Sequence, residues 1–174
     1  RFRAMPTFGS STIWRFATNA SEMKKLAARD FEDLLQCSIP AFEGLLPEPY
    51  NTIIMTLLYR TAEWHAFTKL QLHTESTLQH LEKLTTELRQ LMQNFRDTTQ
   101  SAFGTFKLLK ETGAQKRRQR SGKGKEKTTT GIPGRKPKNL NLFIYKWHAL
   151  RDYICAIHLF GGTDGFSTQV VSNL

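Results

Sequence analysis

The sequence predicts a mainly α-helical fold, an irregular helical bundle interrupted by a disordered basic insert. Two observations carry that expectation. Apolar residues recur at spacings of three and four through much of residues 21–100, the period of a helix with one buried face. The positive charge is gathered in one place. Residues 1–115 hold 13 Lys/Arg against 12 Asp/Glu, and residues 139–174 hold two of each, whereas residues 116–138 hold ten Lys/Arg against Glu126 alone. The whole formal charge of +10 therefore belongs almost entirely to that short stretch. The composition divides the chain into a helical domain at 1–112, a basic linker at 113–139, and a C-terminal helix and tail at 140–174.

The first helix is expected to open at Ser21-Glu22. Its stripe would be Met23, Leu26, Ala27, Phe31, Leu34 and Leu35. Pro40, lacking an N–H, is expected to end it and start a short turn with Phe42, Leu45 and Leu46. Pro47 and Pro49 mark a connection. Asn51 is a candidate cap for the second helix, whose apolar residues are Ile53, Ile54, Leu57, Leu58, Ala62, Trp64, Phe67 and Leu70. A third helix is expected from about Thr74. Leu81, Leu84, Leu88, Leu91 and Phe95 form its stripe, widened by Leu78 and Met92, while Glu75, Glu82, Glu87, Lys83, Arg89 and Arg96 take the wet side. Two heptads are too few for a coiled coil, so this reads as a bundle helix of roughly seven turns.

The basic stretch runs from Lys116 to Lys138 and contains one aliphatic residue, Ile132, and no aromatic. Such a composition buries too little apolar surface to offset the entropy of ordering it, so it reads as disordered. Beyond it, Asn141 is a candidate cap for a last helix through Tyr145, Ala149, Tyr153, Ala156, Ile157 and Phe160, with Gly161-Gly162 as its stop. The tail from Thr163 reads as a short strand or a frayed end.

Residue types capable of chemistry are present without the spacing that chemistry requires. His65, His73, His80, His148 and His158 could ligate a metal together with Cys37 and Cys155. There is no Cys-x-x-Cys and no His-Glu-x-x-His, so they read as surface or core-edge residues. His148 and Asp152 stand four apart, a spacing that suits a hydrogen bond on a helix. Gly161-Gly162-Thr163-Asp164-Gly165 follows a helix instead of opening one, so it lacks the setting of a phosphate loop. Asp30, Glu32 and Asp33 sit among Lys24, Lys25 and Arg29, as on a solvated helix face. No cofactor is expected. No run of eighteen apolar residues predicts a membrane span, and the first residues, Arg1 to Pro6, have no signal-peptide core. A chain starting at Arg1 reads as processed or excerpted. Two distant cysteines suit a reducing compartment.

The basic stretch has a direct physical consequence. Lys116, Arg117, Arg118, Arg120, Lys123, Lys125, Lys127, Arg135, Lys136 and Lys138 could displace counterions from a DNA backbone, giving salt-sensitive affinity with little sequence readout. The same residues could act as a nuclear-import signal or as a solubilising linker. Both readings stand on the sequence alone.

The order of several segments resembles the Plavaka-type transposases of fungal mobile elements, relatives of the CACTA group. The residues that carry it are the run Ser21 to Cys37, Leu45-Leu46-Pro47-Glu48-Pro49, Ala62-Glu63-Trp64-His65-Ala66, and Leu72-His73-Thr74-Glu75-Ser76-Thr77-Leu78. After the basic insert come Tyr145 to Tyr153 and Phe160-Gly161-Gly162-Thr163-Asp164. The likeness is colinear over nearly the whole chain. It implies a region late in a transposase, beyond most of an RNase H-like, metal-dependent catalytic domain, and a nuclear location. It also implies a Gly-Glu-Leu-Glu-His-like motif after Ser167-Thr168-Gln169, where this chain has Val170-Val171-Ser172-Asn173-Leu174. A truncated or decayed copy would read this way. None of the family's catalytic acids maps onto a residue here, so the expectation is a non-catalytic, transposase-like fragment with a DNA-facing basic segment. The alternative is a helical protein-interaction module, its protein partners unassigned. An enzyme comes last.

Overall fold

The computed structural model describes residues 1–7, 13, 15–23, 26–107, 113 and 137–163. The expected disorder of 113–139, apart from Gly113 and its last three residues, and the tail beyond Thr163 lie outside the described residues. Within them the protein is mainly α-helical. Helices α1 (Ala28–Phe42), α2 (Tyr50–Thr68) and α3 (Glu75–Asn94) form the body. A π turn, Phe95–Gln100, extends α3. Further on, α4 (Tyr145–His148) leads through a 3-10 turn, Ala149–Arg151, into α5 (Asp152–Phe160).

Helix α3 follows its sequence pattern closely. Leu78, Leu81, Leu84 and Leu88 are buried along one face. Thr74 caps the helix, its Oγ1 accepting the Thr77 N–H at 3.3 Å while Thr77 Oγ1 accepts the Thr74 N–H at 2.9 Å. These leucines meet Leu57 and Trp64 of α2 and Ile157 of α5 in one cluster, with Phe67, Leu91, Met92, Phe95, Leu150 and Ile154 packed around it. Leu81, Leu84 and Leu88 are fully buried, and each contributes about 1.5–3 kcal/mol by leaving water. Trp64 is fixed from two sides. Its Nε1–H donates to Thr85 Oγ1 at 2.9 Å, and its ring meets Tyr153 edge-on at 5.1 Å.

Helix α1 departs from the expectation in three respects. It starts at Ala28, after a separate 3-10 turn at Ala20–Glu22, because Asp30 supplies the cap: its Oδ2 accepts the Ala27 N–H at 2.7 Å. It runs through Pro40 to Phe42. Pro40 and Gln36, whose carbonyl loses its partner there, both lie on the exposed side, where water can hydrate that carbonyl. Its buried face is Asp33, Cys37, Ser38 and Ala41, whereas Phe31 is 57% exposed. Burial thus falls on the smaller residues of a helix that is in contact with α2. The Arg1 guanidinium donates to the carbonyls of Ala41 at 3.1 Å and Glu43 at 2.6 Å, so the N-terminal residues complete the C-terminal end of α1. Phe2 packs edge-on against buried Phe16.

The N-cap position of α2 is Pro49, with Asn51 inside the first turn, and the Glu48 side chain reaches back to that turn. The Glu48 carboxylate accepts from Thr52 N at 3.2 Å, Thr52 Oγ1 at 2.7 Å and Asn51 Nδ2 at 3.1 Å, and these bonds hold its pKa below the usual carboxylate value. Asn51 Oδ1 accepts the Gly44 N–H instead.

The last helix is broken in two, and the expected stripe is buried only in part, with Tyr153 meeting Trp64. Ile157 is buried and Leu150 and Ile154 pack on the core, whereas Tyr145 and Phe160 are 78% and 73% exposed. Asn141 closes a turn ahead of the helix, its Oδ1 accepting the Phe143 N–H at 2.9 Å. Gly161, at φ 82°, ends α5 as expected. The chain then closes onto the end of α2, where Thr163 Oγ1 donates to the Thr68 carbonyl at 2.7 Å. Among the described residues no helix is long and apolar enough to cross a membrane.

Candidate nucleic-acid interface

Of the ten basic residues singled out in the sequence, Lys116, Arg117, Arg118, Arg120, Lys123, Lys125, Lys127, Arg135 and Lys136 lie outside the described residues. Lys138 is described, and its backbone shows how the segment is anchored. The Lys138 N–H donates to the Thr105 carbonyl at 2.8 Å, and Thr105 Oγ1 donates back to the Lys138 carbonyl at 2.5 Å. Phe106 and Pro137 form an antiparallel bridge beside this pair. Next, the Leu140 N–H donates to Gln100 Oε1 at 2.6 Å, fixing the returning chain to the π turn after α3. Thr105 and Phe106 therefore stand side by side with Pro137 and Lys138 at the end of the helical body.

From there the returning chain builds one wall of a groove. The groove lies between α3 and the α4–α5 segment and has a volume of about 440 Å³. Its floor is apolar, made by Leu88, Met92, Leu150 and Ile154. Its rim carries Arg89 and Arg96 from α3, Arg151 from the turn before α5, His148 from α4, and the rings of Phe143 and Trp147. Phe143 is 84% exposed. Glu82 is the one acid on the lining. Arg96 is engaged by Asp97 through two bonds, Nε to Oδ1 at 2.7 Å and Nη2 to Oδ2 at 3.1 Å, which raise the guanidinium pKa and lower that of the carboxyl. Arg89 and Arg151 make no ion pair among the described residues.

The sequence did not disclose this groove. Arg89 and Arg96 fell on the wet face of α3, and nothing local said that a segment some fifty residues on would return beside them. The one available signal was Phe143 and Trp147 standing just beyond the basic stretch.

The histidines are dispersed. His65 Nε2 lies 3.6 Å from Glu32 Oε1, which also accepts from Lys69 Nζ at 2.7 Å. Burial depresses the His65 pKa, Glu32 pulls it back up, and Lys69 adds to the lowering. His80 Nε2 lies 3.3 Å from Glu63 Oε1, and Arg60 joins Glu63 of its own helix at 2.6 Å to Glu87 of α3 at 3.1 Å. Those partners hold the Glu63 carboxyl below its ordinary value, Arg60 most strongly. Both His73 ring nitrogens are buried, and His148 stands on the groove. Burial pushes the Cys37 thiol up, with Asp33 adding to it, so that thiol is a poor nucleophile; Cys155 is exposed on α5. Among the described residues no three His, Cys, Asp or Glu come together as a metal site would require. Compared with known proteins, the chain matches no family model, no curated protein and no solved structure.

Proposed function

We propose that this chain is a transposase-like, non-catalytic helical fragment of a mobile-element protein that contacts DNA through its phosphates, in the nucleus. The observation that carries the reading is charge density: ten Lys/Arg against one acid within residues 116–138, in a chain whose remaining residues are nearly neutral. The hydrogen bonds between Thr105 and Lys138 support it, because they fix Lys138, the last of the ten cations, against the end of the helical body. The colinear likeness to Plavaka-type transposases supports the mobile-element origin. A catalytic reading frame upstream of the gene and terminal inverted repeats around it are the expected genomic context.

The binding is non-specific. The segment has no aromatic residue to stack on a base, and it offers phosphates charge without a pattern of donors for base edges. With about five phosphates neutralised, log K falls with log salt at a slope of about −4 to −5. The test replaces Lys116, Arg117, Arg118, Arg120, Lys123, Lys125 and Lys127 with Gln and titrates two unrelated duplexes across a salt series. Lower affinity for both, with a shallower slope, is expected. Unchanged affinity would remove the basic segment from the interface.

A helical protein-interaction module is the second reading. It is favoured by the apolar residues exposed on and around α4 and α5: Phe143, Tyr145 and Leu159 are each more than 70% exposed. Absence of duplex binding by the unsubstituted chain would put this reading first.

A further inference from the structure

The groove between α3 and the α4–α5 segment points to a second, chemically distinct contact with DNA. We propose that it seats an unpaired nucleotide of single-stranded DNA, with the base on Phe143 and Trp147 and the flanking phosphates on Arg89 and Arg151. This rests on the reading that the chain meets DNA and adds where a strand end or an unpaired base would go.

Size, charge and surface each point the same way. A volume of about 440 Å³ falls within the 300–1,000 Å³ usual for small-ligand sites, enough for a nucleotide. Three guanidiniums face one carboxylate, Glu82, across the lining, so the groove favours an anion. Arg96 is already held by Asp97, which leaves Arg89 and Arg151 as the two guanidiniums to meet phosphate. Phe143 is 84% exposed and lines the same groove as Arg89 and Arg151, which make no ion pair among the described residues, and an exposed ring beside guanidiniums suits a stacking platform for bases. An acidic peptide would satisfy the arginines but would leave the ring faces without a partner of their own kind.

The position also fits. Lys138, where the basic segment returns, is four residues from Leu142 on the groove wall, a reach of at most about 14 Å of extended chain. A strand that meets Lys138 therefore passes the groove within two or three nucleotides. Duplex DNA cannot use the ring faces, because its bases are stacked within the helix. The two contacts thus differ in substrate: the segment takes any phosphate backbone, and the groove takes an unpaired base.

The experiment uses the full chain with a fluorescent oligothymidine and a duplex of matched length, read by anisotropy. Phe143→Ala is expected to weaken oligothymidine binding about tenfold and to leave duplex binding unchanged. Arg89→Gln with Arg151→Gln is expected to weaken it too, and to make the salt slope for the single strand shallower by about 1.4. All three positions are exposed, so the helical circular dichroism signal stays as in the parent. Equal oligothymidine binding by Phe143→Ala and the parent would overturn the groove assignment while leaving the basic segment standing. Loss of duplex binding in Phe143→Ala would overturn it as well, since the ring would then be acting through the fold. Should polyglutamate of matched length bind the parent as tightly as the oligonucleotide, and lose the same factor in Phe143→Ala, the site would be one for acidic peptides. The Gln-substituted basic segment separates the two readings: it lowers duplex affinity if the segment binds backbone, whatever Phe143 does.

Discussion

Gly162 occupies a space that will not take one more carbon. A Cβ built there would lie 2.7 Å from the Gln71 carbonyl oxygen and 3.4 Å from that of Leu70, both rigid backbone atoms. Gly162→Ala is therefore expected to push the turn after α5 off the end of α2 and break the Thr163–Thr68 hydrogen bond, costing about 1–3 kcal/mol in denaturant unfolding. Thr163→Val removes the bond without the clash and should cost about 1 kcal/mol, so the two variants divide the effect between sterics and bonding. Leu81, with no exposure at all, is the residue the core can least replace; Leu81→Ala is expected to lose about 2–5 kcal/mol. His65 gives the fold a pH dependence. Its pKa is lowered in the folded state, so below the ordinary value of 6.5 the unfolded chain binds the proton more readily. Stability therefore falls as pH drops through and below 6.5. In His65→Gln, unfolding midpoints measured between pH 7 and pH 5 should show a flatter profile than the parent. Glu63, its pKa lowered by Arg60, contributes stability that is lost only below its ordinary 4.5, so the two windows separate.

At the scale of the helix, what could be read in advance depended on what decides burial. Helix α3 was legible because Leu78, Leu81, Leu84 and Leu88 outweigh everything else on its surface and Thr74 carries the capping chemistry itself. Thr74→Ala is expected to cost about 1 kcal/mol and to fray the first turn, visible as faster amide exchange there. Helix α1 was legible as a helix but not in its face. Its large apolar residues point partly outward, and burial falls on its smaller ones, in a helix that is in contact with α2. Pro40 shows the same limit. A proline forbids one hydrogen bond, and whether the helix survives depends on whether the orphaned carbonyl reaches water, as the exposed side of α1 allows. In α4–α5 the stripe read on period alone holds at Ile157, which is buried, and at Tyr153, which meets Trp64, but Leu150 and Ile154 join the core while Tyr145 and Phe160 stay exposed. The groove was least legible, since its residues come from two stretches that only the docking of α5 onto α3 unites.

Over the whole molecule, charge and core belong to different stretches of sequence. The seven cations chosen for replacement fall between residues 116 and 127, whereas the apolar cluster draws on α2, α3 and α5. Their conversion to Gln lowers the formal charge from +10 to +3. It is expected to leave the thermal unfolding midpoint within the change given by about 0.5 kcal/mol while DNA affinity falls, and parallel melts and titrations would show that separation. The tie between Thr105 and Lys138 extends the point. Because Thr105 and Lys138 stand side by side, the helical body is tied at those two residues whatever the length of chain between them. Substituting a flexible stretch of twice the length would alter the closure by only about 0.6 kcal/mol. Thr105 and Lys138 thus form a port into which a foreign domain with adjacent termini could be spliced, the helices on either side still finding one another as before.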